Sequence, residues 1–408
     1  MSRTVTFIRH AETEANAAVR WQGRSNSPLS VRGTSQVVRL GERFASHPPR
    51  RLIASDLERT MITARAVGEP QPDPRWREFS VGSWEGLTSE QVREQFPGQL
   101  EALFAGEDIS VGGGERMSVF RERVLSAFAE LTESLDDGED VTVVTHGGVI
   151  MAIARDVLGL EAASVGVIPP HNTSVTRVTI DDVGGRQLTV FNDASHLDHT
   201  PTQFGPEGTV VSLFRHGQTE GNVAGRWQGR ADSPLTEIGR WQLEAARSYV
   251  PSVDALYTSP LGRTIASAEV LAAHRGVAPV PHDGLVEMSF GSWENLTTAE
   301  AAEADPELFD AIYVHGLDKP RGGDGESFTQ AGARMESALA VLAGVSGAAS
   351  IGVVSHGAVI RAVVAAVAGI DFADRNRIPV PRNSSMSRLV YSAGSVSLAG
   401  YNVAPHLD

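Results

Sequence analysis

Two stretches of this chain, 206 positions apart, repeat one pattern. Phe7-Ile8-Arg9-His10-Ala11-Glu12-Thr13-Glu14-Ala15-Asn16 is matched by Leu213-Phe214-Arg215-His216-Gly217-Gln218-Thr219-Glu220-Gly221-Asn222. The match continues in order: residues 21–24 with 227–230, 55–60 with 259–264, 78–84 with 287–293, and 143–147 with 353–357. Even Ser195-His196-Leu197 has a counterpart in Pro405-His406-Leu407. The offset drifts from 204 to 210, as loop insertions would make it. A period this long is duplication of a whole domain; solenoid repeats are several times shorter. The stretch 198–208 carries Pro201, Gly205, Pro206 and Gly208 and no hydrophobic periodicity, which marks a boundary. The expected domains are 1–200 and 209–408, joined by a linker at 201–208.

Within each half, strand and helix patterns alternate. Val141-Thr142-Val143-Val144 is a short β-branched run, and an apolar helix is expected over 149–158. Arg51-Leu52-Ile53-Ala54 reads as a second strand with a helix after it. Ser55 with Glu58 has the form of a capping box, and Pro260 suits a first helical turn in the other half. Residues 174–180 alternate like a strand, turn at Gly184-Gly185 and return over 187–191. The predicted fold is α/β: two tandem domains, each a mostly parallel sheet with helices on both faces. Sites in such sheets form beyond the carboxyl ends of the strands.

Four features of each half fall at that edge. Arg9-His10 (Arg215-His216) follows the opening strand, and Arg59 (Arg263) lies in the first turn of a helix. Glu78 (Glu287) precedes a Gly and a Trp, and His146-Gly147 (His356-Gly357) joins a strand to a helix whose N–H groups favour an anion. This inventory suits phosphoryl transfer. A phosphoryl group carries about two negative charges at neutral pH, and paired arginine forks can hold its oxygens. A neutral imidazole can attack phosphorus, and a glutamic acid can protonate the leaving oxygen and then deprotonate water.

Both halves resemble the histidine phosphatase superfamily, the phosphoglycerate-mutase-like proteins. Its signature, Arg-His-Gly-x-Thr-x-x-Asn, is complete from Arg215 to Asn222, and the first half departs from it at Ala11. The resemblance covers nearly the whole chain, twice. It implies that His10 and His216 accept the phosphoryl group, and that Glu78 and Glu287 are the proton donors. Arg9, Arg59 and His146 would line the first phosphate pocket, with Arg215, Arg263 and His356 lining the second. Asn16 and Asn222 align with a pocket-edge asparagine. Asn172 and Asn383 lie near a late polar loop, and Gly114-Glu115 and Gly325-Glu326-Ser327 are structural supports. Glu85 and Glu294 compete for the acid role, which the resemblance gives to Glu78 and Glu287.

The expected activity is metal-independent hydrolysis of a small phosphomonoester through a phosphohistidine, at two sites and with no cofactor. Two alternatives stay open. One is a phosphomutase of the phosphoglycerate mutase type; the other is one active domain beside a non-catalytic phosphate-binding one, since Ala11 adds a methyl where glycine is expected. The 68 residues from Glu78 to His146, and 69 from Glu287 to His356, fit the compact phosphatase branch. Segments 89–114 and 298–325 are expected to cover the pockets, and Lys319 or Arg321 to read a second anionic group. Trp21, Trp84, Trp227 and Trp293 read as packing or pocket walls. The tail histidines His196, His199 and His406 have no metal-ligand company, and His47, His171, His274, His282 and His315 receive no role.

The net charge of −15 argues against a general nucleic-acid binder, so an anionic substrate needs a local basic pocket. There is no cysteine for disulfides, thiolate metal sites or nucleophiles, and Lys319 is the single lysine. No apolar run is long enough to span a bilayer, and the opening residues leave no room for a signal peptide. A cytoplasmic location is the expectation; the oligomeric state is open.

Overall fold

The computed structural model describes residues 2–160, 166–197, 208–273, 275–345, 347–392 and 394–408. The expected linker, apart from Gly208, and His199 and His274 lie outside them. The chain divides into two compact units. One comprises Met1–Ser164 and Pro169–Pro201, the other Val165–Ile168 and Thr202–Asp408.

The first unit is organised by six strands: β1 (Arg3–Arg9), β2 (Leu52–Ala54), β3 (Gln71–Pro72), β4 (Asp140–Thr145), β5 (Val175–Ile180) and β6 (Arg186–Asp193). β1 pairs in parallel with β4, β4 with β2 and β2 with β3; β5 joins β1 antiparallel and β6 returns beside it. The second unit repeats this with β7 (Thr209–Arg215), β8 (Ala255–Thr258), β9 (Pro279–Pro281), β10 (Ser350–Ser355), β11 (Met386–Ser392) and β12 (Ser395–Val403). Its order is β9-β8-β10-β7-β11-β12. β1 and β7 are central, and their four middle residues are buried without alternation, as a strand covered on both faces must be.

The two faces separate at neighbouring residues. Ile8 packs with Leu40 of helix Val31–Phe44 and Ala64 of helix Glu58–Arg65. Phe7 points the other way, onto Trp76 and onto Phe128 of helix Met117–Glu133, with ring centroids 6.0 and 5.8 Å apart. The α/β reading, helices on both faces included, holds.

Two local expectations fail. Helix Glu58–Arg65 is capped at Leu57 without a side-chain bond, because the Ser55 hydroxyl is taken by His146. Pro260 precedes the cap residue Leu261, so it stands outside helix Gly262–Ala272. Among the described residues, no helix is long and apolar enough to cross a membrane.

Candidate active site

Parallel pairing brings three strand ends together. His10 follows β1 and its N–H reaches Thr145 O at 2.8 Å, while Ser55 follows β2 and its N–H reaches Val144 O at 3.0 Å. His146 follows β4 and caps helix Gly147–Leu158. The rings of His10 and His146 consequently meet edge to face, 5.2 Å between centroids; His216 and His356 meet likewise at 5.3 Å.

Hydrogen bonding assigns the protons. Nδ1 of His10 lies 2.7 Å from Ala11 O, an atom that only accepts, so Nδ1 carries the hydrogen and Nε2 the lone pair. His216 does the same toward Gly217 O at 2.7 Å. Burial, then the positive charge of Arg59 and Arg9, push His10 well below the usual histidine range; burial and Arg215 and Arg263 act on His216. Both are neutral at pH 7. His146 is also held low, by burial first and by Arg59 next. Its Nδ1 accepts from Arg59 Nη2 at 3.1 Å, which leaves its Nε2–H to meet Ser55 Oγ at 2.9 Å. His356 is engaged in the same way by Arg263 Nε at 3.2 Å and Ser259 Oγ at 2.8 Å.

Arg59 and Arg263 are buried and aimed by carbonyls. Arg59 donates to Gly23 O at 2.6 Å and Ser25 O at 3.1 Å. Burial lowers its pKa to about 10. Arg263 donates to Gly229 O and Ala231 O, both at 2.7 Å, and also pairs with Asp232 at 3.2 Å. Arg9 and Arg215 reach Pro170 O and Pro381 O through Nη1 at 2.6 and 2.7 Å. Among the described residues, the buried Nε atoms of Arg9, Arg59 and Arg215 have no hydrogen-bond partner. Buried N–H groups left open beside a neutral imidazole form a cradle for an oxyanion. Gly147 and Gly357 leave room for it, since a Cβ there would fall 3.3 Å from Arg9 Nε and 3.0 Å from Arg215 Nε.

The acids stand at helix N-termini. Glu78 accepts from the Gly148 amide at 3.0 Å; Glu287 accepts from Ala358 and Val359 at 3.1 and 2.8 Å. Arg123 and Arg334 bind Glu115 and Glu326 and also reach the carbonyls of residues 78 and 287, buttressing the acid-bearing loop. Glu85 is occupied differently. Its carboxylate accepts from the amides of Gly23, Arg24 and Ser25, folding the loop that holds Arg59. Asn172 Nδ2 bonds His10 O at 2.8 Å and Asn16 Oδ1 at 3.3 Å, and Asn383 links His216 and Asn222 likewise.

Several participants escaped the sequence reading. Ser55 and Ser259 hold matching places in the repeat, and Ser55 has the local form of a helix cap. Thr63 and Ser267 receive the amides of Ala11 and Gly217 at 2.9 and 3.2 Å; their shared hydroxyl in the tandem alignment was the available signal. His196 and His406 brace the asparagine loop, through Thr173 at 3.1 Å and Ser384 at 2.8 Å. Trp84 and Trp293 are fully buried packing residues, while Trp227 lines the second cavity. Lys319 is exposed and its carbonyl accepts from Arg321, whereas Arg321 does line that cavity.

The model of the histidine phosphatase superfamily (branch 1) matches residues 5–194 and again 211–404. The protein of Salmonella paratyphi C (strain RKS4594) named "Probable phosphoglycerate mutase GpmB" is 32% identical over 204 residues, 48% of this chain and 94% of that protein. Among solved structures, Bacillus stearothermophilus YhfR is 29% identical, covering 49% of this chain and 100% of its own, with a TM-score of 0.44. A mycobacterial glucosyl-3-phosphoglycerate phosphatase is 29% identical over 47% of this chain and 98% of its own, with a TM-score of 0.42.

Proposed function

Because the chain belongs to the histidine phosphatase superfamily, we propose that each half hydrolyses a small phosphomonoester through a phosphohistidine, without a metal ion. The observation that carries this reading is a neutral imidazole, its tautomer fixed by Ala11 O or Gly217 O, set beside buried arginines with open N–H groups. Nε2 of His10 attacks phosphorus and forms the N–P bond as the ester P–O bond breaks. Glu78, in its acid form, gives its proton to the departing alkoxide. Glu78 then takes a proton from water, the hydroxide attacks phosphorus, and the N–P bond breaks to release phosphate and restore His10. Arg9, Arg59 and His146 line the phosphate pocket, with Asn16 at its edge. The arginines offset charge on the phosphoryl oxygens, the task a metal ion performs elsewhere. His216, Glu287, Arg215, Arg263, His356 and Asn222 act alike in the second half, and the catalytic domains are taken as 1–200 and 209–408.

Ala11 does not argue against the first site. At Gly217 an added Cβ would meet Gly239 O at 2.5 Å and Leu243 Cδ1 at 2.9 Å, on the side of helix Glu237–Ala246 and not of the phosphate cradle. A phosphomutase is the second reading, favoured by the name of the Salmonella relative. It would pass the phosphoryl group to another substrate oxygen instead of water.

The test is phosphate release from a panel of phosphomonoesters, with EDTA present, by wild type, His10→Ala, His216→Ala and the double variant. Partial loss in each single variant and near-complete loss in the double supports two phosphohistidine sites. Loss in His216→Ala alone reduces the first half to a partner domain. Isomerised ester without phosphate release selects the mutase.

A further inference from the structure

In the second half the cavity in front of His216, about 360 Å³, extends to a second cationic wall formed by Arg321, Arg361 and Arg375. Three elements supply it: the segment before helix Phe328–Val345, helix Gly357–Ala368, and the 3₁₀ helix Phe372–Arg377. Arg321 and Arg375 are buried, at 2% and 6% exposure. Their local partners are mostly neutral. Arg375 donates to Phe372 O at 2.9 Å, and Arg361 to Asn376 Oδ1 at 3.0 Å. Among the described residues, Asp318 is the one carboxylate in ion-pair contact with the three, 3.2 Å from Arg321. The buried Nε atoms of Arg321 and Arg361 have no hydrogen-bond partner among the described residues. Phe372 supports two of the guanidinium groups, with Arg375 at 3.8 Å and Arg321 at 4.9 Å from its ring centroid.

Crowding three guanidinium groups against one carboxylate is unfavourable unless an anion completes the set. The first half marks this wall as special. Gly322-Gly323 and Gly112-Gly113 share positive φ, at 58° and 80° against 54° and 76°, so Arg321 takes the place of Val111. Arg361 aligns with Met151, and by sequence Arg375 aligns with Val165. Three apolar positions in one half are three arginines in the other.

We propose that the second site takes a phosphomonoester bearing a further oxyanionic group, and that Arg321, Arg361 and Arg375 bind that group while His216 receives the phosphoryl. This rests on the phosphatase reading above and names the substrate class of that site. The probes share one three-carbon skeleton: glycerol 3-phosphate, 3-phosphoglycerate with an added carboxylate, and 2,3-bisphosphoglycerate with a further phosphate. Phosphate release is measured on the full chain carrying His10→Ala, so that the second site reports.

The expected result is a kcat/KM ratio at least tenfold in favour of an ester with the extra anion. Arg361→Met, which installs the first half's residue, should cut that ratio about ten- to hundredfold. Arg375→Val, on a different element, should cut it similarly. The better of the two doubly anionic esters identifies the second group as carboxylate or phosphate. Ratios near one in the parent, or unaltered in both variants, overturn the proposal. Calorimetric binding of the same esters to the His10→Ala, His216→Ala chain separates the two claims. A binding preference lost in Arg361→Met, with no turnover anywhere, sustains the second-anion site and removes the phosphatase reading.

Discussion

At the scale of single residues, the exchange of Gly217 for Ala11 shows how a departure from a motif is absorbed. By correspondence with Gly217 the methyl is directed at helix Val31–Phe44, where Val37 stands at the position of Leu243 and Leu40 at that of Ala246. Bulk is redistributed and the fully buried Ala11 fits. Gly217→Ala alone should destabilise the second half by about 1–3 kcal/mol, because the added carbon would stand 2.5 Å from Gly239 O and 2.9 Å from Leu243 Cδ1. Leu243→Val in the same chain should recover part of that loss, as a double-mutant cycle by urea denaturation would read. Strict additivity would mean that the methyl does not press on Leu243.

At the scale of elements, the candidate catalytic groups depend on segments that carry no chemistry of their own. The loop bearing Asn383 passes through Ser384 at φ 58°, a conformation that side chains other than glycine adopt at a cost. His406 pins it from the tail, through Ser384 Oγ at 2.8 Å, and stacks on Tyr249 at 5.3 Å. His406→Ala should therefore lower turnover at the second site roughly fivefold, the worth of one hydrogen bond near 1 kcal/mol. His406→Gln should restore most of it by offering a donor at similar reach. The check is kcat measured in the His10→Ala chain; an alanine variant with unreduced kcat would show that the tail does not position the loop. The pairs Glu115–Arg123 and Glu326–Arg334 brace the acid loop in the same indirect way.

For the whole molecule, the buried histidines shape the pH range of stability. His10, His146, His216 and His356 are all held well below 6.5, chiefly by burial, and burial lowers His196 to about 3 and His406 to about 4. Above about pH 6.5 these groups are neutral both folded and unfolded. Below it the unfolded chain binds protons that the folded chain refuses, so stability is lost as pH falls from 6.5 toward the folded values. Each of the four site histidines adds a slope of up to about 1.4 kcal/mol per pH unit. The midpoint of urea unfolding should hold between pH 8 and 7 and decline steadily from 6.5 to 5. A flat profile across that lower range would show that the site histidines are not buried as neutral groups.

The sequence by itself determined the duplication, the α/β class and the ordered set of histidines, arginines and glutamates, because each is written in local patterns that survive without knowledge of packing. It placed His10 after a strand and His146 between strand and helix, and parallel pairing of β1, β4 and β2 then made those ends meet. Tertiary structure alone decided what depends on distant partners. Ser55 looks like a helix cap until β2 is set beside β4 and its hydroxyl reaches His146. Glu85 looks like an acid until the loop at 23–25 takes its oxygens. His196 and His406 look like idle tail residues until the tail returns to the asparagine loop. Arg361 is a lone charge in an apolar helix and Arg375 one of several charges in a polar run, and only the fold gathers them with Arg321 around one cavity. Charge and hydrogen bonding act through space over a few ångströms, and sequence spacing does not encode which distant atoms will share that space.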